Sequence, residues 1–333
     1  MKNFITKILI FIIPFLLILI ISIIEDPYKV FNTKTYFPAD GNILELNASV
    51  IKTELYLQNR GRIKNYDSFI FGNSRSDAFK CESWKKFLPN ESNPFHFEGM
   101  GENLFGVYKK IKFIDLQGDT IKNALIILDE EMLGNLNNII YPPYITHYKV
   151  SEESMFVFYW QFIKIFYKPK FLISYYDFKI NKKYKPYMKK IIPKFKYRNQ
   201  INLDNGDFKY SLDKEIKRDS ISYYNNLKRI IIRDTNKINY KVSEKEIFMH
   251  SEITKIFDKH KTNYKIILSP LYNQIPFSSK RKLILDSIYK PNNIFDFTGI
   301  NEYTEKIGNY YEASHYRPIV ANQILKEIYF NKK

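Results

Sequence analysis

Asn123-Ala124-Leu125-Ile126-Ile127-Leu128-Asp129 is apolar at every interior position and ends in a carboxylate. A strand with one wet face alternates polar and apolar residues. An unbroken apolar run of this length therefore reads as a strand covered on both sides, the mark of a parallel sheet. Upstream, Asp67-Ser68-Phe69-Ile70-Phe71-Gly72 has the same form and stops at glycine. Downstream, Tyr264-Lys265-Ile266-Ile267-Leu268-Ser269 is stopped by Pro270. Pro94 to Phe97 and Asn293 to Phe297 are two further strand candidates. Helical spacing falls between them at Ala48 to Asn59, Leu104 to Leu116, Glu244 to His260 and Ser278 to Tyr289, and Val320 to Tyr329 closes the chain. Alternating strands and helices predict an α/β fold in which helices cover both faces of a parallel sheet. The alternation breaks at about residues 135–240, a stretch dense in aromatic and basic residues, which reads as a helical insertion between the third and fourth strands.

Seventeen uncharged residues, Ile8 to Ile24, follow Lys2 and Lys7 and end at Glu25-Asp26-Pro27. The run is longer than the usual ~7–15-residue apolar core of a cleaved signal, and no small-residue cleavage site follows it. The expectation is an uncleaved membrane anchor over residues 1–26, an extended stalk over 27–46 and one α/β domain over 47–333. Lysines before the apolar run place the N-terminus in the cytoplasm and the domain outside it, in the periplasm or at the cell surface.

The 333 residues carry a formal charge of +17, from 52 basic and 35 acidic residues. Only nine of the basic residues are arginine, whereas nucleic-acid readers lean on Arg for base edges and phosphates. Twelve basic residues stand against one acid, Asp177, between Lys164 and Arg198, so most of the excess belongs to the insertion. An exported domain with clustered charge argues against a nucleic-acid partner and for a membrane-facing or partner-facing surface. The single cysteine, Cys81, excludes an intramolecular disulfide framework and multi-cysteine zinc sites. His96, His147, His250 and His260 have no metal-ligand spacing, so neither metal nor cofactor is expected.

In an open parallel sheet, chemistry gathers at the carboxyl ends of the strands. Gly72-Asn73-Ser74-Arg75-Ser76 directly follows the first strand. It reads either as an ordinary turn with a capping serine or as a serine presented at a helix start, with the N–H groups after it, beginning at Arg75, available to an oxyanion. Glu312-Ala313-Ser314-His315 lies just before the last helix. A serine hydroxyl needs an adjacent base oriented by an acid, and His315 with Glu312 would supply both. Asp129, at the end of the best strand, is a candidate for lining the cleft. Arg317 and Arg75 either bind an anionic substrate or pair with a local carboxylate. Asp296 is a reserve candidate for the orienting acid.

These blocks, in this order, resemble the SGNH (GDSL-like) hydrolases, and more closely the membrane-anchored SGNH-like proteins of bacterial envelope and polysaccharide loci. Gly72-Asn73-Ser74-Arg75-Ser76 matches the nucleophile block, and Glu312-Ala313-Ser314-His315 the last block, with Glu where Asp is usual. Phe95 to Leu104 sits where the family has its glycine block, making Gly101 a second oxyanion donor. The family's Gly-x-Asn-Asp block is replaced by Leu128-Asp129-Glu130-Glu131, leaving Asn103 as the substitute asparagine donor. The resemblance implies a three-layer α/β/α sandwich with a flavodoxin-like sheet, Ser74 as nucleophile and His315 as base. It implies a serine esterase or O-acyltransferase acting on an envelope or extracellular glycan. The competing expectation is a catalytically degenerate scaffold that assists a membrane-embedded acyltransferase or an export complex.

Overall fold

The computed structural model describes residues 2–31, 46–61, 65–192, 198–210, 212–230 and 241–330. In chain order the strands are β1 (Ser68–Phe71), β2 (Pro94–His96), β3 (Asn123–Leu128), β4 (Arg198–Ile201), β5 (Phe208–Tyr210), β6 (Asn263–Leu268), β7 (Ile294–Asp296), β8 (Tyr310–Glu312) and β9 (His315–Tyr316). Strands β2, β1, β3, β6 and β7 pair in that order, all parallel, while β4–β5 and β8–β9 are separate antiparallel pairs. The N-terminal half contributes helices α1 (Lys2–Glu25), α2 (Ala48–Asn59), α3 (Cys81–Lys85), α4 (Leu104–Leu116), α5 (Tyr148–Ser151), α6 (Met155–Phe166) and α7 (Pro169–Asn181). The rest are α8 (Leu212–Arg218), α9 (Ser220–Ile230), α10 (Glu244–His260), α11 (Ser279–Ile288), α12 (Glu302–Glu305) and α13 (Pro318–Phe330).

Side chains alternate across a strand, and here both sets are buried. Phe69, Phe71, Ala124, Ile126, Leu128, Ile266 and Leu268 pack against apolar residues of α2, α4 and α10, including Ile51, Leu55, Ile111 and Ile253. On the opposite face Ile70, Leu125, Ile127 and Ile267 meet Trp84 and the α13 residues Val320, Ile324 and Leu325. Each large apolar side chain removed from water stabilises by about 1.5–3 kcal/mol, so the sheet's two faces fix its place between helices. The molecule is a mixed α/β protein with a parallel central sheet, compatible with an α/β/α sandwich.

The five strands expected from sequence all form within one residue or two of their predicted ends. The insertion lies between β3 and β6, but it is not purely helical. It includes the β4–β5 hairpin, whose turn Asn202 to Asp207 holds Gly206 at φ +77. The expected extended stalk also needs correction in its first residues. Asp26 Oδ1 and Oδ2 accept the N–H groups of Val30 and Phe31 at 2.9 and 3.0 Å, closing a turn. Tyr28 and Val30 are then buried against Phe158, Phe162 and Phe171 of α6 and α7. Residues 32–45 of the predicted stalk lie outside the described residues. The predicted anchor falls in α1, where the side chains of 2–6, 8 and 9 also lie outside the description. Among the described residues no helix is long and apolar enough to cross a membrane.

Candidate active site

The β1 strand delivers its carboxyl end to Gly72, whose φ is +150. A Cβ there would sit 2.9 Å from the Ile127 carbonyl oxygen and 3.0 Å from Ser76 Cβ, so only glycine lets the chain turn this close to β3. The next residue, Asn73, begins the 3₁₀ turn Ser74–Ala78, and its Oδ1 accepts the Arg75 N–H at 2.9 Å. Its Nδ2 donates to Asp129 Oδ2, also at 2.9 Å. The Ser74 turn is thereby tied to the end of β3.

Glu312 and His315 meet because they are directly opposed across the β8–β9 hairpin, with Ala313-Ser314 as its turn. An acid-x-x-His pattern on a two-residue hairpin makes the pair cross-strand neighbours, closer than a loop of undefined shape would hold them. The Tyr310 hydroxyl donates to the Pro270 carbonyl at 2.8 Å, just past β6, and the Arg317 N–H donates to Asn309 O at 2.7 Å. These bonds fix the hairpin against the sheet.

The result is a continuous hydrogen-bonded chain. His315 Nε2 lies 2.8 Å from Ser74 Oγ, and His315 Nδ1 bonds Glu312 Oε1. An ionised carboxylate only accepts, so Nδ1 carries the proton and Nε2 is left basic toward the serine. Burial pushes the Glu312 carboxyl up, but the hydrogen bond and charge of His315, with bonds from the Ser314 N–H and hydroxyl, outweigh it and hold it below its usual value. His315 and Glu312 side chains are 25% and 28% exposed, open enough to meet a solute.

The other predicted site residues serve different ends. The Arg75 N–H, expected at an oxyanion, is spent on Asn73 Oδ1. Its guanidinium lies 2.6 Å from both Asp129 and Glu131, and Nε donates to Ser314 O at 3.3 Å, bridging the two halves of the site. Asp129 is buried and engaged on both oxygens, accepting also from the Glu131 and Met132 N–H groups; it positions the Ser74 turn. Asn103 caps α4, with Oδ1 accepting from Gly106 N at 3.2 Å and Nδ2 donating one of its two protons to Asn137 O at 2.8 Å. Arg317 donates to Tyr224 Oη and Gly308 O, both at 3.0 Å, and so holds α9 against the hairpin. Gly101 sits in the turn after β2 at φ +58, with the Tyr144 ring 3.4 Å from where a Cβ would be. Among the described residues the N–H groups of Ser74 and Gly101 make no hydrogen bond. Asp296 is bound to Thr298 and does not approach His315 in the described contacts.

Sequence reasoning missed a second serine–histidine–acid array. Ser76 Oγ lies 3.0 Å from His96 Nε2, and His96 Nδ1 lies 3.0 Å from Asp207 Oδ1. Asp207 comes from the β4–β5 hairpin and also accepts the Cys81 N–H at 3.0 Å. Around it, Lys52 pairs with Glu98 at 3.1 Å, and the Tyr210 hydroxyl donates to Asp77 at 3.0 Å. The one local signal was Asp204-Asn205-Gly206, a turn triplet in a region read as helical. A cavity of about 580 Å³ lies beside this hairpin, lined among others by Lys80, Asp207, Tyr210, Asp213 and Tyr311. Neither Ser74 nor His315 lines it. Burial raises the Cys81 thiol well above its usual value, as befits an unreactive core residue. Among the described residues no group of His, Cys, Asp and Glu could hold a metal ion.

Comparison with family models, with curated proteins and with solved structures returns no match.

Proposed function

We propose that this chain is an SGNH-type serine hydrolase or O-acyltransferase of the cell envelope, held to the membrane by its uncharged N-terminal run Ile8 to Ile24. The observation that carries the reading is the Ser74–His315–Glu312 chain, partly exposed at the carboxyl end of a parallel sheet. In the reaction, His315 Nε2 takes the Ser74 proton as Oγ attacks an ester carbonyl. Glu312 holds the ring and offsets the charge of the imidazolium that forms. The Ser74 and Gly101 N–H groups are donors that meet the oxyanion. Protonated His315 then gives its proton to the departing alcohol, leaving the acyl group on Ser74. Water or a sugar hydroxyl, deprotonated by the same nitrogen, releases the acyl group. No cofactor enters these steps. A three-layer α/β/α sandwich is the fold this reading requires.

The uncharged run Ile8 to Ile24, preceded by lysines and closed by Glu25-Asp26-Pro27, supports the anchor, being longer than the apolar core of a cleaved signal. An outward-facing domain on such an anchor meets envelope or extracellular polysaccharide, so the acyl group is carried on a glycan. A second reading, a degenerate scaffold serving a membrane-embedded acyltransferase or export complex, is favoured by one observation: the Arg75 N–H is spent on Asn73 Oδ1. The two readings separate on purified full-length protein assayed for release of acetate from a short-chain aryl ester and from an O-acetylated glycan. The enzyme reading expects turnover that disappears in Ser74→Ala; equal background rates for both proteins would favour the scaffold.

A further inference from the structure

We infer that Lys110 and Glu102 are positioning residues of the reaction, a buried ion pair that closes the loop Phe97 to Glu102 and so sets where the Gly101 N–H meets the oxyanion. The inference rests on the reading of Ser74 as nucleophile with Gly101 as one of its donors. The loop runs from the end of β2 to the start of α4. At its beginning the Phe97 N–H donates to the Ile70 carbonyl at 2.8 Å. The Gly99 N–H donates at 3.2 Å to the carbonyl of Gly72, two residues before Ser74. The Glu102 N–H returns to the Gly99 carbonyl at 3.2 Å, closing a turn that holds Gly101 at φ +58. Gly101 is exposed, and Glu102, the next residue, is buried.

What holds the turn from below is a single ammonium. Lys110 Nζ, from α4, lies 2.7 Å from Glu102 Oε1 and donates to Oε2 at 2.9 Å. It also donates to the Phe97 carbonyl at 3.1 Å, so one group grips both ends of the loop. The Lys110 and Glu102 side chains are 0% and 3% exposed, where salt screens little. The carboxylate has a fitted seat. A Cβ at Gly99 would sit 2.7 Å from Glu102 Oε1, and a Cβ at Gly106 of α4 would sit 2.6 Å from the same oxygen. Two glycines, one in the loop and one on the helix, thus leave the space this carboxylate occupies. A buried ion pair adds little to stability over apolar residues of the same size. Its worth here is geometric, because displacing a reacting group by about 1 Å costs roughly 10²-fold in rate.

The test compares steady-state kinetics of the full-length protein on an aryl ester and on its thionoester, which has C=S in place of C=O. Sulfur is a weak hydrogen-bond acceptor, so the oxo-to-thiono ratio of kcat/KM reads the oxyanion donors and not the fold as a whole. Glu102→Gln/Lys110→Met removes both charges together. Gly106→Ala keeps both charges and places a methyl group on the carboxylate, in a substitution that helices otherwise favour. The expected result for the double variant is a fall of about 10²-fold in kcat on the oxoester, with KM little changed. Its oxo-to-thiono ratio falls with kcat, and Gly106→Ala moves both in the same direction. If the double variant does not fold, Gly106→Ala decides by the same ratio. Equal falls on the two esters, or no fall on either, overturn the positioning role while Ser74-dependent turnover leaves the catalytic reading standing. Absence of any turnover that Ser74→Ala abolishes overturns both.

Discussion

Two serine–histidine–carboxylate chains begin two residues apart on one turn, and they differ in almost every property that matters for reactivity. In the first, the Ser74 hydroxyl has His315 as its partner and both are partly exposed. In the second, Ser76 and His96 are completely buried. The Ser76 hydroxyl has one proton and two acceptors in reach, the Asn73 carbonyl at 2.8 Å and His96 Nε2 at 3.0 Å. The acids differ too. Glu312 is bound within its own hairpin, whereas Asp207 arrives from the insertion and is fixed by a buried N–H. Residue types alone do not separate the two chains. Access does, and the buried array pins the turn that carries Ser74.

The largest contrast is expected between Ser74→Ala and Ser76→Ala. The first should lower kcat for ester hydrolysis by about 10⁴-fold or more, as loss of a triad nucleophile does. The second should change it by less than about 10-fold, because Ser76 touches the turn and not the substrate. Comparable losses in both, in steady-state kinetics, would erase the distinction.

A comparable split is expected between the acids. Glu312→Gln should lower kcat by about 10³–10⁴-fold, since an amide cannot hold the His315 tautomer or offset its charge. Asp207→Ala should instead appear in stability, leaving His96 Nδ1 and the Cys81 N–H unpaired in the interior. The cost is about 1–3 kcal/mol in denaturant melts. Gly72→Ala should cost a similar amount, about 1–3 kcal/mol, from the strained backbone and the contact with the Ile127 carbonyl.

The smallest effect is one of pH. Burial, helped by the Lys52 charge, holds His96 below its usual value. As pH falls below about 6.5 the unfolded chain takes up a proton that folded His96 refuses, so stability declines on acidification. His250, pushed down to about 3 by burial and the Arg281 charge, acts with the same sign. Glu102, pushed up to about 7 by burial, opposes them. The Tm should be lower at pH 5 than at pH 7, and the fall should be smaller in His96→Asn.

This contrast also marks what a sequence can reveal. Strands such as Asn123 to Leu128 were legible because burial on both faces removes polar residues from the interior, a signal contained in the five positions Ala124 to Leu128. Ser74, Glu312 and His315 were legible because each lies at a strand end or on a short local pattern. Asp207 was not, because its meeting with His96 spans 111 residues and leaves no local trace. The same holds for Asp129, which looked like a cleft residue but is consumed by Asn73 and Arg75. Tyr28 and Val30 read as stalk, and only the folded insertion supplies the apolar surface that buries them.

The most direct test is labelling of the full-length protein by a serine-reactive phosphonate, with the adduct located by peptide mass spectrometry. The account predicts one adduct on Ser74, absent in Ser74→Ala, retained in Ser76→Ala and sharply slowed in Glu312→Gln. An unlabelled Ser74 in folded protein, or an adduct on Ser76, would contradict it.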